Sequence, residues 1–161
     1  MSLFGDDQFQ WRETYFILFR ENDRPKAKEV LKGLSGGDRR FHVRDVREDA
    51  HGRLESLTVT SPDDFAAMDI SYVTGEEVIE QVEELSHKLM RATLTAEERE
   101  KLRRIAKCDS RFDIFHFEQV AADREENEDE LLDPAALLIV MERLRRLCNG
   151  VAFDPQSESF M

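Results

Sequence analysis

The sequence predicts an α+β protein with a mainly antiparallel sheet of five to six strands and three or four helices packed largely on one face. Residues 14–19 and 111–119 carry apolar side chains at both alternating positions, as strands covered on both sides do. Several other segments repeat apolar residues at helical spacing. The predicted element order is β α β β (β) α α β α β, which is typical of helices layered on a sheet.

The middle of the chain predicts an antiparallel hairpin. Residues 41–48 and 53–61 alternate apolar and polar side chains, and a polar segment containing Gly52 joins them. Residues 65–73 form a third, less regular candidate strand, and residues 151–153 a short final one.

Two helix starts carry the spacing of a capping box, in which each side chain satisfies a backbone N–H at the other's position. These pairs are Thr74 with Glu77 and Thr95 with Glu98. They predict two consecutive helices after the third candidate strand.

A last helix is predicted to begin at Asp133–Pro134, an N-cap residue followed by a proline. It extends to residue 148 and is apolar almost all round in its first half, so we expect burial on more than one side. Without the third candidate strand and one helix, the remaining order resembles a ferredoxin-like unit (βαββαβ) extended by one helix and one strand. This resemblance concerns element order only and implies no activity.

The length of 161 residues suits a single α+β domain spanning residues 1–161. Within it we expect an N-terminal arm over residues 1–13, an acidic mobile loop over residues 121–132 and a tail over residues 155–161. Cys108 and Cys148 lack metal-ligand or redox spacing, and we expect two buried free thiols.

The charge balance restricts the classes of partner. With 35 Asp+Glu against 23 Lys+Arg, the formal charge is −12, which argues against nucleic acid because phosphate contacts need Lys and Arg. No apolar run approaches the ~18 residues of a membrane helix, and the first residues lack the basic segment of a signal peptide. We therefore expect a cytoplasmic protein, monomeric or homodimeric, without a membrane or nucleic-acid partner.

The sequence contains no motif that identifies an enzyme. The GxSxG, HExxH and CxxC patterns and a phosphate-binding glycine loop before a helix are all absent. We therefore predict no catalytic residue, metal or cofactor and favour a non-enzymatic role, although the pattern leaves the question of enzymatic activity open.

The leading hypothesis is an interaction or regulatory module that binds a basic protein surface through acidic patches. The candidate contacts are the acids of the predicted loop: Asp123, Glu125, Glu126, Glu128, Asp129 and Glu130.

The alternative is a small-molecule or metal-binding domain, including a minor enzyme, that uses strand histidines. If their strands are neighbours, the imidazoles of His42 and His116 would approach each other, joined by Glu118 or Arg44. The competing interpretation is a histidine at the edge of the core, satisfied by a carboxylate or a backbone carbonyl.

Overall fold

A computed structural model of the chain describes residues 3–36, 39–120 and 134–161. In these residues the fold is α+β, as predicted, with seven strands and four α-helices. In chain order they are β1 Phe9–Phe19, α1 Ala27–Ser35, β2 His42–Glu48, β3 Leu54–Ser61, β4 Ala66–Thr74, α2 Glu76–Met90, α3 Ala96–Ile105, β5 Ser110–Gln119, α4 Ala135–Leu147, β6 Val151–Asp154 and β7 Ser159–Phe160. None of the described helices is long and apolar enough to cross a membrane.

The strands form one sheet in the order β2-β3-β4-β5-β1-β6-β7, and every neighbouring pair is antiparallel. The prediction of five to six strands is therefore too low. The irregular segment is the full strand β4, whose residues 66–70 are buried. A strand buried on both faces does not alternate apolar and polar residues, which explains its weak signal. Because β4 extends the β2–β3 hairpin into a meander, the ferredoxin-like order is not confirmed.

Helices cover both faces of the sheet, so the prediction that they lie largely on one face is wrong. Ile17 and Phe19 pack in one cluster with buried residues of α1 and α4. Leu18 packs in another with buried residues of α2 and α3. Since successive strand residues point to opposite faces, these are an α1/α4 face and an α2/α3 face.

The N-terminal residues also differ from the predicted arm, because β1 begins at Phe9 rather than at Thr14. Before it, Leu3–Gly5 forms a 3-10 turn, called here the N-terminal turn. The N–H of Leu3 donates to Asp69 Oδ2 at 2.9 Å, and its side chain is buried with Ala67 and Phe117. The N-terminal turn thus covers one end of the α2/α3 face.

We expect Gly150→Ala to destabilise the fold by about 1–3 kcal/mol, as overpacking of a well-filled core does. A Cβ at Gly150 would lie 2.5 Å from Ile17 Cγ2 and 3.0 Å from the carbonyl oxygen of Leu18. Relief would require β1 to move at the centre of the sheet. Urea unfolding monitored by circular dichroism measures the cost.

The matched control is Gly5→Ala, because a Cβ at Gly5 meets no atom within 4 Å. We expect this variant to stay within about 0.5 kcal/mol of the wild type. Equal unfolding free energies for the two variants would contradict the packing argument.

Candidate functional site

The six acids of the predicted loop, residues 123–130, lie outside the described residues. Their proposed contact with a basic surface therefore stays a prediction, and the described residues supply the candidate sites that follow.

The structure does not bring the two strand histidines together. In the β2–β3 register Val43 faces Val59, a residue of the α1/α4 core, so His42 points to the other face. His116 lies two residues after Ile114 on β5, so it points to the same face, the α1/α4 face. Strands β3 and β4 also separate β2 from β5, which adds about 14 Å at three interstrand spacings of about 4.8 Å.

The other two candidates of that hypothesis are divided in the same way. Arg44 shares the face of His42, and its Nε lies 3.8 Å from Asp45 Oδ2. Glu118 shares the face of His116 and lies 3.5 Å from Arg12. The four residues therefore form no common site.

His116 belongs to a different polar cluster on the α1/α4 face. Its side chain is 1% exposed, and its Nδ1 lies 3.0 Å from Glu13 Oε1. Tyr15 donates its hydroxyl to the same carboxylate oxygen at 3.1 Å. Burial, followed by the charge of Glu13, raises the pKa of Tyr15 well above its ordinary value, so its hydroxyl stays a donor.

This cluster matches a carboxylate-held histidine at the edge of the core. A carboxylate beside Nδ1 is also how catalytic histidines are oriented. The second nitrogen of His116, Nε2, is buried and has no hydrogen-bond partner among the described residues. Since solvent does not reach Nε2, a substrate would not reach it either without a rearrangement of the core.

Both cysteines are free and buried, as expected. Burial raises the pKa of the Cys108 thiol to about 11 and that of Cys148 to about 12. Neither is a thiolate at neutral pH, and the thiolate is the nucleophile in cysteine chemistry. In the described part of the chain no three His, Cys, Asp or Glu side chains gather as a metal site would require.

The α2/α3 face holds a cleft on strands β2 to β5 beside the N-terminal turn. Its volume is about 400 Å³, within the range of small-molecule sites. The lining consists of one aromatic wall, a polar floor and a charged rim: Phe4, Asp45, Arg47, Ser56, Leu57, Thr58, Asp69, Ile70, Ser71 and Phe115.

Cross-strand register arranges the polar floor. Ser56 of β3 lies opposite Ser71 of β4, and Thr58 lies opposite Asp69. Asp69 is buried and accepts hydrogen bonds from Thr58 Oγ1 at 2.5 Å and from the N–H of Leu3 at 2.9 Å. The Asp69 carboxylate is therefore largely satisfied, whereas neither serine hydroxyl has a hydrogen-bond partner among the described residues.

A bulge in β2 places a cation at the rim of the cleft. The β2–β3 register shifts between Arg44 and Arg47, and Asp45 adopts the left-handed conformation with φ of 53°. Residues three apart in a regular strand point to opposite faces, but here both arginines pair with residues of the α2/α3 face. The bulge thus aims Arg47 at the cleft, and Arg47 has no ion pair among the described residues.

The outward side of α2 is the clearest acidic surface in the described structure. Five exposed glutamates lie on this helix: Glu76, Glu77, Glu80, Glu83 and Glu84. Glu77 lies 3.5 Å from Arg111, whereas the other four have no cation partner among the described residues. Ile79, among them, is 45% exposed. We call Glu76, Ile79, Glu80, Glu83 and Glu84 the α2 acidic surface.

Sequence reasoning missed both of these surfaces. The α2 acidic surface could have been predicted from the sequence, because the predicted helix carries glutamate at nearly every position outside its apolar stripe. The cleft could not have been predicted from the sequence, since it depends on strand order, on the bulge at Asp45 and on the docking of the N-terminal turn.

Comparison with known proteins supplies no relative. No family model, no curated protein and no solved structure matches this chain significantly.

We expect both cysteines to react with a thiol reagent such as DTNB at pH 8 at least about a hundredfold more slowly in the folded protein than in guanidinium. A pKa near 11 leaves roughly 0.1% thiolate at pH 8, against about a quarter for a free cysteine. Cys108→Ser and Cys148→Ser variants assign the rates. Rapid reaction of either thiol in the folded chain would show that it is accessible and activated.

We expect Glu13→Gln to lower the unfolding free energy by about 1–3 kcal/mol, the usual cost of weakening hydrogen bonds to a buried polar group. The change removes the charge that faces both His116 and Tyr15. Chemical denaturation at pH 7 measures it. The control is Glu48→Gln, an exposed residue of β2, for which we expect a change within about 0.5 kcal/mol. Similar losses for both variants would refute a structural role for the cluster.

Proposed function

We propose that this protein is a non-enzymatic interaction module that binds a basic protein surface through acidic patches. The observation that carries the proposal is the α2 acidic surface, where four glutamates without a cation partner among the described residues lie beside a half-exposed isoleucine. A cationic partner would neutralise these charges and bury Ile79, which would combine electrostatic steering with an apolar contact. The predicted contacts at residues 123–130 would extend this surface if they lie on the same side.

The acids of α3 and α4 support this assignment by contrast. On α3, Glu97 lies 3.9 Å from Lys101 and Glu100 lies 3.5 Å from Arg103. On α4, Glu142 accepts hydrogen bonds from two arginines, and the hydrogen bond from Arg145 chiefly lowers its pKa to about 2. These acids already have local cations, whereas the four glutamates of the α2 acidic surface have no cation partner among the described residues.

The proposal keeps the broader expectations of a cytoplasmic protein that acts as a monomer or homodimer and uses no cofactor. It does not require either cysteine or His116 to react, which agrees with their burial.

We expect the double variant Glu80→Gln/Glu83→Gln to bind a fluorescein-labelled ten-residue lysine peptide about fivefold or more weakly than the wild type. The reason is the loss of two uncompensated charges from one surface. Fluorescence anisotropy at about 20 mM and about 150 mM salt measures the affinity, and wild-type binding should weaken with salt because the charges are exposed.

The matched control is Glu97→Gln/Glu100→Gln, which removes two acids that are already paired. Equal weakening by both double variants would show that only net charge matters and would overturn the assignment to α2. A third variant, with the six acids of residues 123–130 neutralised, measures the separate contribution of that segment. Binding that does not depend on salt would refute the proposal as a whole.

A further inference from the structure

We propose that the cleft on the α2/α3 face is a binding site for a small organic anion that carries a planar ring, with its carboxylate or phosphate on Arg47 and its ring against Phe4 and Phe115. This inference is independent of the α2 acidic surface, because the cleft and that surface share no residue.

The hydrogen-bond donors of the cleft lie on neighbouring residues of adjacent strands. Arg47 stands at the rim, and the hydroxyls of Ser56 and Ser71 lie on adjacent strands of the floor. Arg47 pairs with Ser56 in the β2–β3 ladder, so the guanidinium and both hydroxyls belong to one row across three strands. A guanidinium with neighbouring hydroxyls matches the geometry of carboxylate and phosphate oxygens.

The aromatic wall suits a flat apolar body. Phe4 is 58% exposed, and its ring meets Phe115 edge to face with centroids 5.3 Å apart. A second edge-to-face contact with Phe117 at 4.8 Å holds Phe4 in place, as does the bond from the neighbouring Leu3 N–H to Asp69. An exposed but fixed ring beside a cleft gives a planar ligand a preorganised stacking surface.

Two carboxylates in the lining oppose an anion, and the structure reduces the effect of both. Asp69 already accepts two hydrogen bonds at the bottom of the cleft. Asp45 lies 3.8 Å from Arg44 Nε and is exposed at the rim, where solvent screens it. Arg47 takes part in neither of these contacts, so its positive charge is not neutralised by either carboxylate.

The bulge gives a second, independent indication. A non-glycine residue in the left-handed region costs backbone free energy, and bulges are common where a strand must redirect a side chain. At Asp45 the consequence of the bulge is to bring Arg47 to the same face as Arg44 and Ser56. A regular strand would have placed Arg47 on the covered α1/α4 face.

The test is titration of the ¹⁵N-labelled full chain with benzoate, phenyl phosphate and benzamidine, followed by amide chemical shifts. Benzamidine has the size and shape of benzoate with the opposite charge. We expect one or both anions to shift the amides of Ser56, Ser71 and Phe115 with a Kd of about 1 mM, typical of a fragment, and benzamidine to shift them less. The stronger of the two anions identifies carboxylate or phosphate as the preferred group.

Charge variants give the sign of the effect. Arg47→Gln should weaken the anion about tenfold, since hydrogen bonds to charged groups are the strong ones, while Asp45→Asn should strengthen it. Lys28→Gln, on α1 behind the opposite face, removes the same charge and should change nothing. Phe4→Leu should weaken both anions by loss of the ring.

Several results would overturn the inference. They are a lack of shifts in the cleft with both anions at about 20 mM, shifts confined to other residues, tighter binding of benzamidine, or an opposite order of the Arg47 and Asp45 variants. None of these results bears on the α2 acidic surface, which the lysine peptide tests separately.

Discussion

The constraint on which the rest of the fold depends is the burial of β5 on both faces. β5 lies between β4 and β1 and pairs with each along nearly its whole length. Its residues alternate between Phe112 and Ile114, which enter the α1/α4 core, and Phe115 and Phe117, which enter the cluster below the N-terminal turn. A strand that is apolar on both sides requires a cover on both sides. One helical layer could not satisfy it.

The two covers are unequal, and the cleft is the consequence. On the α1/α4 face, two helices pack against each other and close a continuous core. On the other face, α2 and α3 cover one end and the N-terminal turn covers the opposite end, so the sheet between them keeps a polar surface. The boundary is marked by Arg111, buried against the Phe16 ring and bonded to Asp113 and Gln81. Burial raises the pKa of Asp113, although Arg111 acts in the opposite direction.

The sequence predicted those parts of the fold that depend on local pattern. The central strands over residues 14–19 and 111–119 are confirmed, as is the capping box of Thr95 and Glu98.

The other predicted capping box, that of Thr74 and Glu77, is not formed. α2 begins after Gly75, and the Thr74 hydroxyl donates to the carbonyl of Asp109, because Thr74 is the last residue of β4 and its side chain serves the β4–β5 pairing. Leu138, in the apolar first half of the last helix, is 48% exposed because it points away from the buried residues by which α4 packs on the sheet and α1.

What sequence could not predict is long-range. The separation of His42 from His116 follows from strand order, since β3 and β4 are inserted between their strands. The approach of Phe4 to Phe115 follows from the docking of the N-terminal turn on the sheet, through the hydrogen bond of the Leu3 N–H to Asp69 and the burial of the Leu3 side chain. Neither of these relations can be predicted from a short stretch of sequence. The alternation of apolar and polar residues indicates which residues share a face of a strand, but it does not indicate which strands are neighbours.

The charges of the α2 acidic surface contribute little to the stability of the fold. Glutamate in the first turn interacts favourably with the helix dipole, which accounts for Glu76 and Glu77. Glu80, Glu83 and Glu84 lie beyond that turn, and like charges at i,i+4, as between Glu80 and Glu84, cost about 0.2–0.5 kcal/mol. The nearest cation of the helix, Lys88, is bonded at 2.5 Å to Glu158. The Glu80–Glu84 pair therefore weakens the helix that carries it, and a cation supplied by another molecule would compensate this cost.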